Sequence, residues 1–328
     1  MKIAFLCYWD LAAGDGVARK VDAQARLWRE GGHDVELVSI RPGHRRSETG
    51  PAVAAVRRLR PDLLYTRYDL FLPAVWRLVR SVPTIVELNS DHASEARLRG
   101  PQVRLYDAAN ARFVASGAAG ICCVTRELAL RFPEPKAVIA NGADADAVPS
   151  LPAPDGPRPR AVFAGSPANA WHGVDRLLEL ARRLPEVDFE LLGPRVEDPP
   201  ANVTVAGTLR GADYWAALGR ADVAFGSLAM ERAGLREGCP LKVREYLLAG
   251  VPTVIGYEDT DFPGELPWYL ARYEAVEQVQ AFIERIRGRR APREELEPRL
   301  SWRAKETARL AFFERVLGER RGIASIAR

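Results

Sequence analysis

The feature that most constrains this chain is an alternation of short apolar segments with amphipathic ones, run twice and interrupted once. In the first half, residues 3–8, 35–40, 63–65, 84–88, 121–124 and 137–140 read as strands. Helical periodicity covers residues 17–30, 53–59, 72–79, 93–116 and 127–131, the first of these stopped by Gly31-Gly32. Residues 145–160 carry prolines 149, 152, 154, 157 and 159 without periodicity, which reads as a linker. The alternation then restarts, with strands at 161–164, 189–192, 203–206, 223–225, 253–255 and 269–272. Its helices are expected at 174–184, 214–218, 240–249 and 276–287, and a charged helix runs from Trp302 to about Gly318. Repeated βα units demand parallel sheets with helices on both faces. The expected fold class is therefore α/β, with two doubly wound Rossmann-like halves. They span residues 1–148 and 161–300, joined by a linker at 149–160 and followed by a terminal segment at 301–328. Two such halves present the carboxyl ends of both sheets to a central cleft, where ligands bind.

Composition narrows the class. The chain has 328 residues, 47% of them hydrophobic, enough for two globular domains. No 18-residue apolar run is present, and residues 1–7 read as a strand cut short by Trp9-Asp10 rather than as an export signal. The four cysteines (Cys7, Cys122, Cys123, Cys239) show no CxxC spacing, so reduced thiols, a cytoplasmic location and no zinc are expected. The net charge of +4 arises within residues 1–150, and residues 41–60 hold six arginines against Glu48 alone. A solvated face is the preferred reading of that stretch. Weak association with a membrane surface, peripheral at its inner face, is the alternative. No aromatic-studded basic face accompanies the charge, so nucleic acid is not an expected partner.

Chemistry concentrates between Leu235 and Ile255. Pro240 suits the first helical position, Leu241, Val243, Leu247 and Leu248 form an apolar face, and Gly250 stops the helix before a buried strand. Glu237 precedes this helix and Glu245 lies in its second turn, roughly 7–8 Å along the axis from Pro240. Between them, the amides of Gly238, Cys239 and Leu241 stand at the positive end of the helix, a site for one or two phosphates. A carboxylate at either end of a diphosphate suits a nucleotide sugar, one for ribose and one for the second sugar. Glutamates near a helix start also favour its dipole, and spacing alone leaves both readings standing.

Other constellations are less specific. Gly14-Asp15-Gly16 follows the first strand, as a ligand loop or as a bare turn. Arg19 occupies the third glycine position of a dinucleotide fingerprint, which disfavours a dehydrogenase. Asp259-Thr-Asp261 has the carboxylates for a hard cation, but a helix-capping loop is preferred and no metal is expected. Asp91 and His92 follow a strand and face the expected cleft, where a cap explains Asp91 equally well. Arg67-Tyr68 is an acceptor contact or plain rim, and Trp171, Trp215 and Trp302 are read as packing.

The string Glu237-Gly-x-Pro-(x)4-Glu245-Tyr-Leu-x-Ala-Gly-x-Pro resembles the E-x7-E element of the retaining glycosyltransferases of family 4, which have the GT-B fold. Supporting matches run over about residues 1–315. They include Lys2-Ile-Ala-Phe-Leu, Gly31-Gly-His-Asp-Val-Glu-Leu-Val, Val124-Thr-Arg-Glu-Leu and Ile139-Ala-Asn-Gly-Ala-Asp144. Val162-Phe-Ala-Gly-Ser, His172-Gly-Val-Asp-Arg-Leu-Leu and Phe189-Glu-Leu-Leu-Gly193 follow in the same order.

The resemblance implies transfer of a sugar from a UDP- or GDP-linked donor to a small-molecule, glycan or lipid-linked acceptor, with retention and without metal or cofactor. It places Glu245 on ribose, Glu237 on the sugar hydroxyls, and Gly238, Cys239, Pro240, Leu241 and Lys242 on the diphosphate. Thr208-Leu209-Arg210 would lie near the base, and Gly14, Gly16, Gly165, Ser166 and His172 would complete the donor set. Asp15, Arg67 and Tyr68 would meet the acceptor, Asp91 and His92 the transferred sugar, and the terminal helix would cross back onto the first domain. In similar enzymes the loop at 165–173 carries an arginine and a lysine on the phosphates. Here Ser166-Pro167 and His172 stand in their places; Lys242 is read as the replacement charge, with a solvated helix face as the alternative. The alternatives are a hydrolysing nucleotide-sugar epimerase of the same fold and, below it, a non-catalytic nucleotide- or sugar-binding protein.

Overall fold

The structure is a computed structural model and describes residues 1–166 and 169–326. The chain forms two compact units, residues 1–140 with 302–328, and residues 141–301. Each is built on a six-stranded parallel sheet. No described helix is long and apolar enough to cross a membrane.

In the first unit the strands are β1 (Lys2–Cys7), β2 (Asp34–Ser39), β3 (Leu63–Arg67), β4 (Thr84–Leu88), β5 (Gly120–Cys123) and β6 (Lys136–Val138), in the order β2-β1-β3-β4-β5-β6. Phe5, Trp28, Tyr65 and Phe313 pack into one aromatic core, the last contributed by the terminal helix Trp302–Ile326. A buried phenylalanine of this kind is worth about 3–5 kcal/mol when truncated to alanine.

The second unit contains β7 (Arg160–Ala164), β8 (Asp188–Leu192), β9 (Val203–Gly207), β10 (Val223–Phe225), β11 (Glu237–Gly238), β12 (Thr253–Ile255), β13 (Glu258–Asp259) and β14 (Leu270–Arg272). Its main sheet runs β14-β12-β10-β7-β8-β9, and β11 pairs with β13 in a separate parallel ribbon. Along β7, Ala161 and Phe163 join one core while Val162 and Ala164 face the other, so helices cover both faces. At the end of β8, Gly193 has φ +99°, and a Cβ there would lie 2.2 Å from the Gly165 carbonyl. Only glycine permits that approach.

Several boundaries differ from the sequence reading. The helix expected over 93–116 is two helices, His92–Leu98 and Pro101–Gly117, broken at Gly100 with φ +106°. The helix expected at 53–59 begins at Arg45 and carries Pro51 inside it, kept helical by the buried row Thr49, Ala52, Val53 and Val56. The key helix is Leu241–Leu248; Pro240 is its N-cap, with ψ 139°, and not its first residue. The β11–β13 ribbon and the helix Arg293–Leu300 have no counterpart in the sequence reading. The chain passes between the units at Ala140–Asn141, and the proline-rich stretch 149–160 lies within the second. It is held there because Arg290 donates to the Pro152 carbonyl and Leu151 N–H to the Ala249 carbonyl.

Candidate active site

In the second sheet the chain lays down β7, β8 and β9 in one direction, then returns to place β10 on the other side of β7. The carboxyl ends of β7 and β10 therefore flank the topological switch point, where open parallel sheets bind ligands. The loop after β7 holds Gly165, Ser166 and His172; Pro167 lies outside the described residues. His172 and Trp171 carbonyls accept the N–H groups of Leu228 and Ala229, so the loop after β10 is tied to the loop after β7. The helix Leu241–Leu248 is anchored at the same place, since the Ala164 N–H donates to the Tyr246 hydroxyl at 2.9 Å.

This helix starts without a side-chain cap, because Pro240 offers none, and no acidic residue lies in its first turn. Its positive end is thus uncompensated by the local sequence. Lys242 adds a cation there. Its ammonium is screened from solvent, has no hydrogen-bond partner among the described residues, and lies 4.0 Å from the centre of the Phe163 ring. Burial pushes its pKa down to about 7. His172 is buried beside it, edge-on to Phe163, and its Nδ1 also has no partner among the described residues. Burial, then the charge of Lys242, push its pKa down to about 4, against a hydrogen bond at the Ser166 backbone. A Cβ on Gly165 would meet the His172 ring at 2.8 Å, which is why glycine stands there. The result is a buried ammonium beside a neutral imidazole, and the ammonium is a group that a phosphate engages.

In sequence the two carboxylates lie on either side of that end. Glu237 is buried in β11, and Glu245 is half-buried and accepts a hydrogen bond from the Tyr214 hydroxyl at 3.1 Å. Gly238 follows Glu237 under Met230 and Tyr257, and the buried Cys239 carbonyl accepts from Asn141 Nδ2 at 3.1 Å. Leu241 is half-buried, and Leu209 is partly buried against the core that contains Tyr246. The capping role expected for Asp259-Thr-Asp261 is corrected. Arg244, fully buried, binds Asp259 through both terminal guanidinium nitrogens at 2.6 and 2.8 Å and reaches Asp261 at 2.9 Å. Among the described residues, no group of three or more His, Cys, Asp or Glu is arranged to hold a metal ion.

The first unit has its own switch point between β1 and β3. After β1, Gly14 takes φ +61° to close a short turn, and Asp15 caps the helix Gly16–Glu30 while accepting from Trp9 Nε1 at 3.0 Å. Arg67 ends β3 and Tyr68 follows it. The Tyr68 hydroxyl and His92 Nδ1 both contact the buried Asp107 carboxylate, at 2.8 Å each, and the two rings are 4.2 Å apart. Asp91 caps the helix His92–Leu98 and is ion-paired with Arg131. Burial pushes its carboxyl up, but hydrogen bonds from Arg131 and Ser94 outweigh that and hold it at about 2.

Asp107 was missed in the sequence because it sits amid alanines and arginines on a helix with no strong face. Glu87 could have been found, as the lone charge in the apolar strand Thr84–Leu88. It is fully buried and binds Lys20 at 3.0 Å, with Arg309 and Arg67 at 3.5 and 3.8 Å. Burial opposes its ionisation, but those cations keep it well below the usual carboxylate range.

No protein-family model and no curated protein matches this chain. Solved structures do. Sucrose-phosphate synthase from Thermosynechococcus elongatus is 13% identical, with 97% of this chain and 100% of that one covered at a TM-score of 0.70. A glycosyltransferase from Rickettsia africae is 11% identical over 96% and 98% of the two chains, at a TM-score of 0.67. The Anabaena protein HepE, solved with UDP and glucose, is 16% identical over 95% and 98%, at a TM-score of 0.62. The shared architecture is the GT-B fold, two Rossmann-like domains each with a parallel sheet.

Proposed function

We propose that this chain is a retaining, metal-independent glycosyltransferase of the E-x7-E type that uses a nucleoside-diphosphate sugar, UDP- or GDP-linked. The observation that carries the reading is the buried ammonium of Lys242 beside His172, at the uncapped start of the helix that bears Glu245. A diphosphate is a ligand that answers a buried ammonium and a helix dipole together. Glu245 and Glu237 flank it, suited to the hydroxyls of ribose and of the transferred sugar. The fold is that of HepE, whose structure holds UDP and glucose, which supports a nucleotide-sugar donor.

In the reaction the bond from the sugar's anomeric carbon to the diphosphate oxygen breaks through an oxocarbenium-like state. The acceptor oxygen bonds to that carbon on the same face, and its proton passes to the departing phosphate oxygen. The helix end and Lys242 stabilise the charge that grows on the leaving group. Asp259 and Asp261 are engaged by Arg244, so the metal-free route draws on the protein's own cations.

A thermal-shift panel of UDP, GDP, ADP and dTDP, each with and without Mg²⁺, tests the reading. UDP or GDP is expected to raise the melting temperature equally with or without the ion. No response to any nucleotide, or a response only with Mg²⁺, contradicts it.

A further inference from the structure

Glu237 lies on a segment with little regular structure of its own, a two-residue strand followed by Gly238, Cys239 and Pro240. A two-stranded ribbon outside the main sheet is marginal by itself. Yet the carbonyls of the residues on both sides of Glu237 are gripped. Glu258 N–H donates to the Arg236 carbonyl at 2.8 Å, and Thr260 N–H to the Gly238 carbonyl at 3.2 Å. Both donors flank Asp259, whose carboxylate is the one Arg244 holds. A second route runs from the same guanidinium. Arg244 Nε donates to the Asn141 carbonyl at 3.1 Å, and Asn141 Nδ2 donates to the Cys239 carbonyl. Arg244 is one residue from Glu245 on the helix, so a single side chain links that helix to Glu237 from both directions.

We infer that the buried Arg244–Asp259–Asp261 cluster is a positioning device that fixes Glu237 against the Glu245 helix, so that one donor molecule is held by both carboxylates. This rests on the donor-site reading above. A guanidinium is required because its planar fork spans two carboxylates and a carbonyl at once, which an ammonium does not. The Asp-x-Asp sequence thus serves the transferred sugar through Arg244 and Glu237. Arg244, Asp259 and Asp261 are positioning residues.

The test is a double-mutant cycle read by calorimetry with UDP and UDP-glucose, and with GDP and GDP-mannose as the second pair. The quantity of interest is how much tighter, or looser, the sugar nucleotide binds than the bare nucleotide. Arg244→Met/Asp259→Leu/Asp261→Asn replaces the brace with apolar and neutral groups of similar size, a change proteins often tolerate in stability. Asp261→Asn alone, at the partly exposed end of the cluster, is the milder variant should the triple one not fold.

The expected result is that bare-nucleotide affinity is kept while the sugar's increment falls about ten- to a hundredfold, the effect of losing a charged hydrogen bond. Adding Glu237→Gln to the braceless protein should then change the increment little further, because the two losses are one loss. Full additivity, or an undiminished increment in the braceless protein, overturns the brace alone. A wild-type protein that binds neither nucleotide pair overturns the donor site, and the brace with it.

Discussion

Lys20 and Lys242 both carry their ammonium groups into the protein, and they are held in opposite ways. Lys20, in the first unit, donates to Glu87 at 3.0 Å and to Asn89 at 2.6 Å within a cluster that also contains Arg67 and Arg309. Lys242, in the second, has an aromatic face beneath it and no hydrogen-bond partner among the described residues. Burial lowers both pKa values, but only Lys20 has a neighbouring carboxylate that pulls its value back up. A buried cation with its carboxylate in place is part of the scaffold. One left without a counter-ion costs stability continuously, and the cost is recovered when an anion arrives. The contrast separates a lysine that the fold itself neutralises from one that the proposed diphosphate would neutralise.

Breaking the paired cluster should have the largest effect. Glu87→Gln leaves Lys20 and Arg309 without their shared carboxylate and is expected to remove about 3–5 kcal/mol from the first unit's stability, measured by chemical denaturation. The same carboxyl sets an acid limit. Its folded pKa is depressed, so its contribution is complete above the ordinary glutamate range and is lost as pH falls below it.

Glu237→Gln should lower turnover about a hundredfold while leaving UDP affinity nearly intact, because it removes a contact to the sugar and none to the diphosphate. Glu245→Ala should do the reverse, weakening UDP about tenfold by calorimetry. Equal and unchanged kinetics in both variants would refute the assignment of either.

Lys242→Met should have two effects of opposite sign. Removing a buried ammonium that has no partner among the described residues should leave the melting temperature equal or higher, whereas loss of the proposed phosphate contact should weaken UDP about tenfold. A loss of stability like that of Glu87→Gln would mean Lys242 is paired after all. A smaller effect follows from pH. The folded pKa of Lys242 is lowered from 10.5 to about 7, so the unfolded chain binds more protons between those values. The stability it costs therefore shrinks as pH rises through that window. Diphosphate binding favours the charged form and should weaken by up to about tenfold per pH unit above 7. His172 adds nothing near neutrality, being neutral well above its value of about 4.

Much of this was legible in the sequence. The paired series of strands followed from apolar runs bounded by glycine and proline, since a buried parallel strand tolerates little else. Glu237, Lys242 and Glu245 were visible because they interrupt or flank an otherwise apolar helix with a proline at its start. The β11–β13 ribbon was not visible, for Glu237-Gly238 and Glu258-Asp259 have no strand-like composition and pair only through tertiary contact. Arg244 was hidden for the same reason. In sequence it is one more arginine on a helix, and its burial depends on two aspartates fifteen and seventeen residues away. The Tyr68–His92–Asp107 contact joins three elements, and no local pattern records it.

The most direct test of the central claim is UDP titration of the wild-type protein and Lys242→Met near pH 7.5, in two buffers of different ionisation enthalpy. Wild type is expected to bind UDP with uptake of a fraction of a proton, and the variant about tenfold more weakly with that uptake abolished. Binding that is unchanged by the substitution, or accompanied by no proton uptake in wild type, would contradict it.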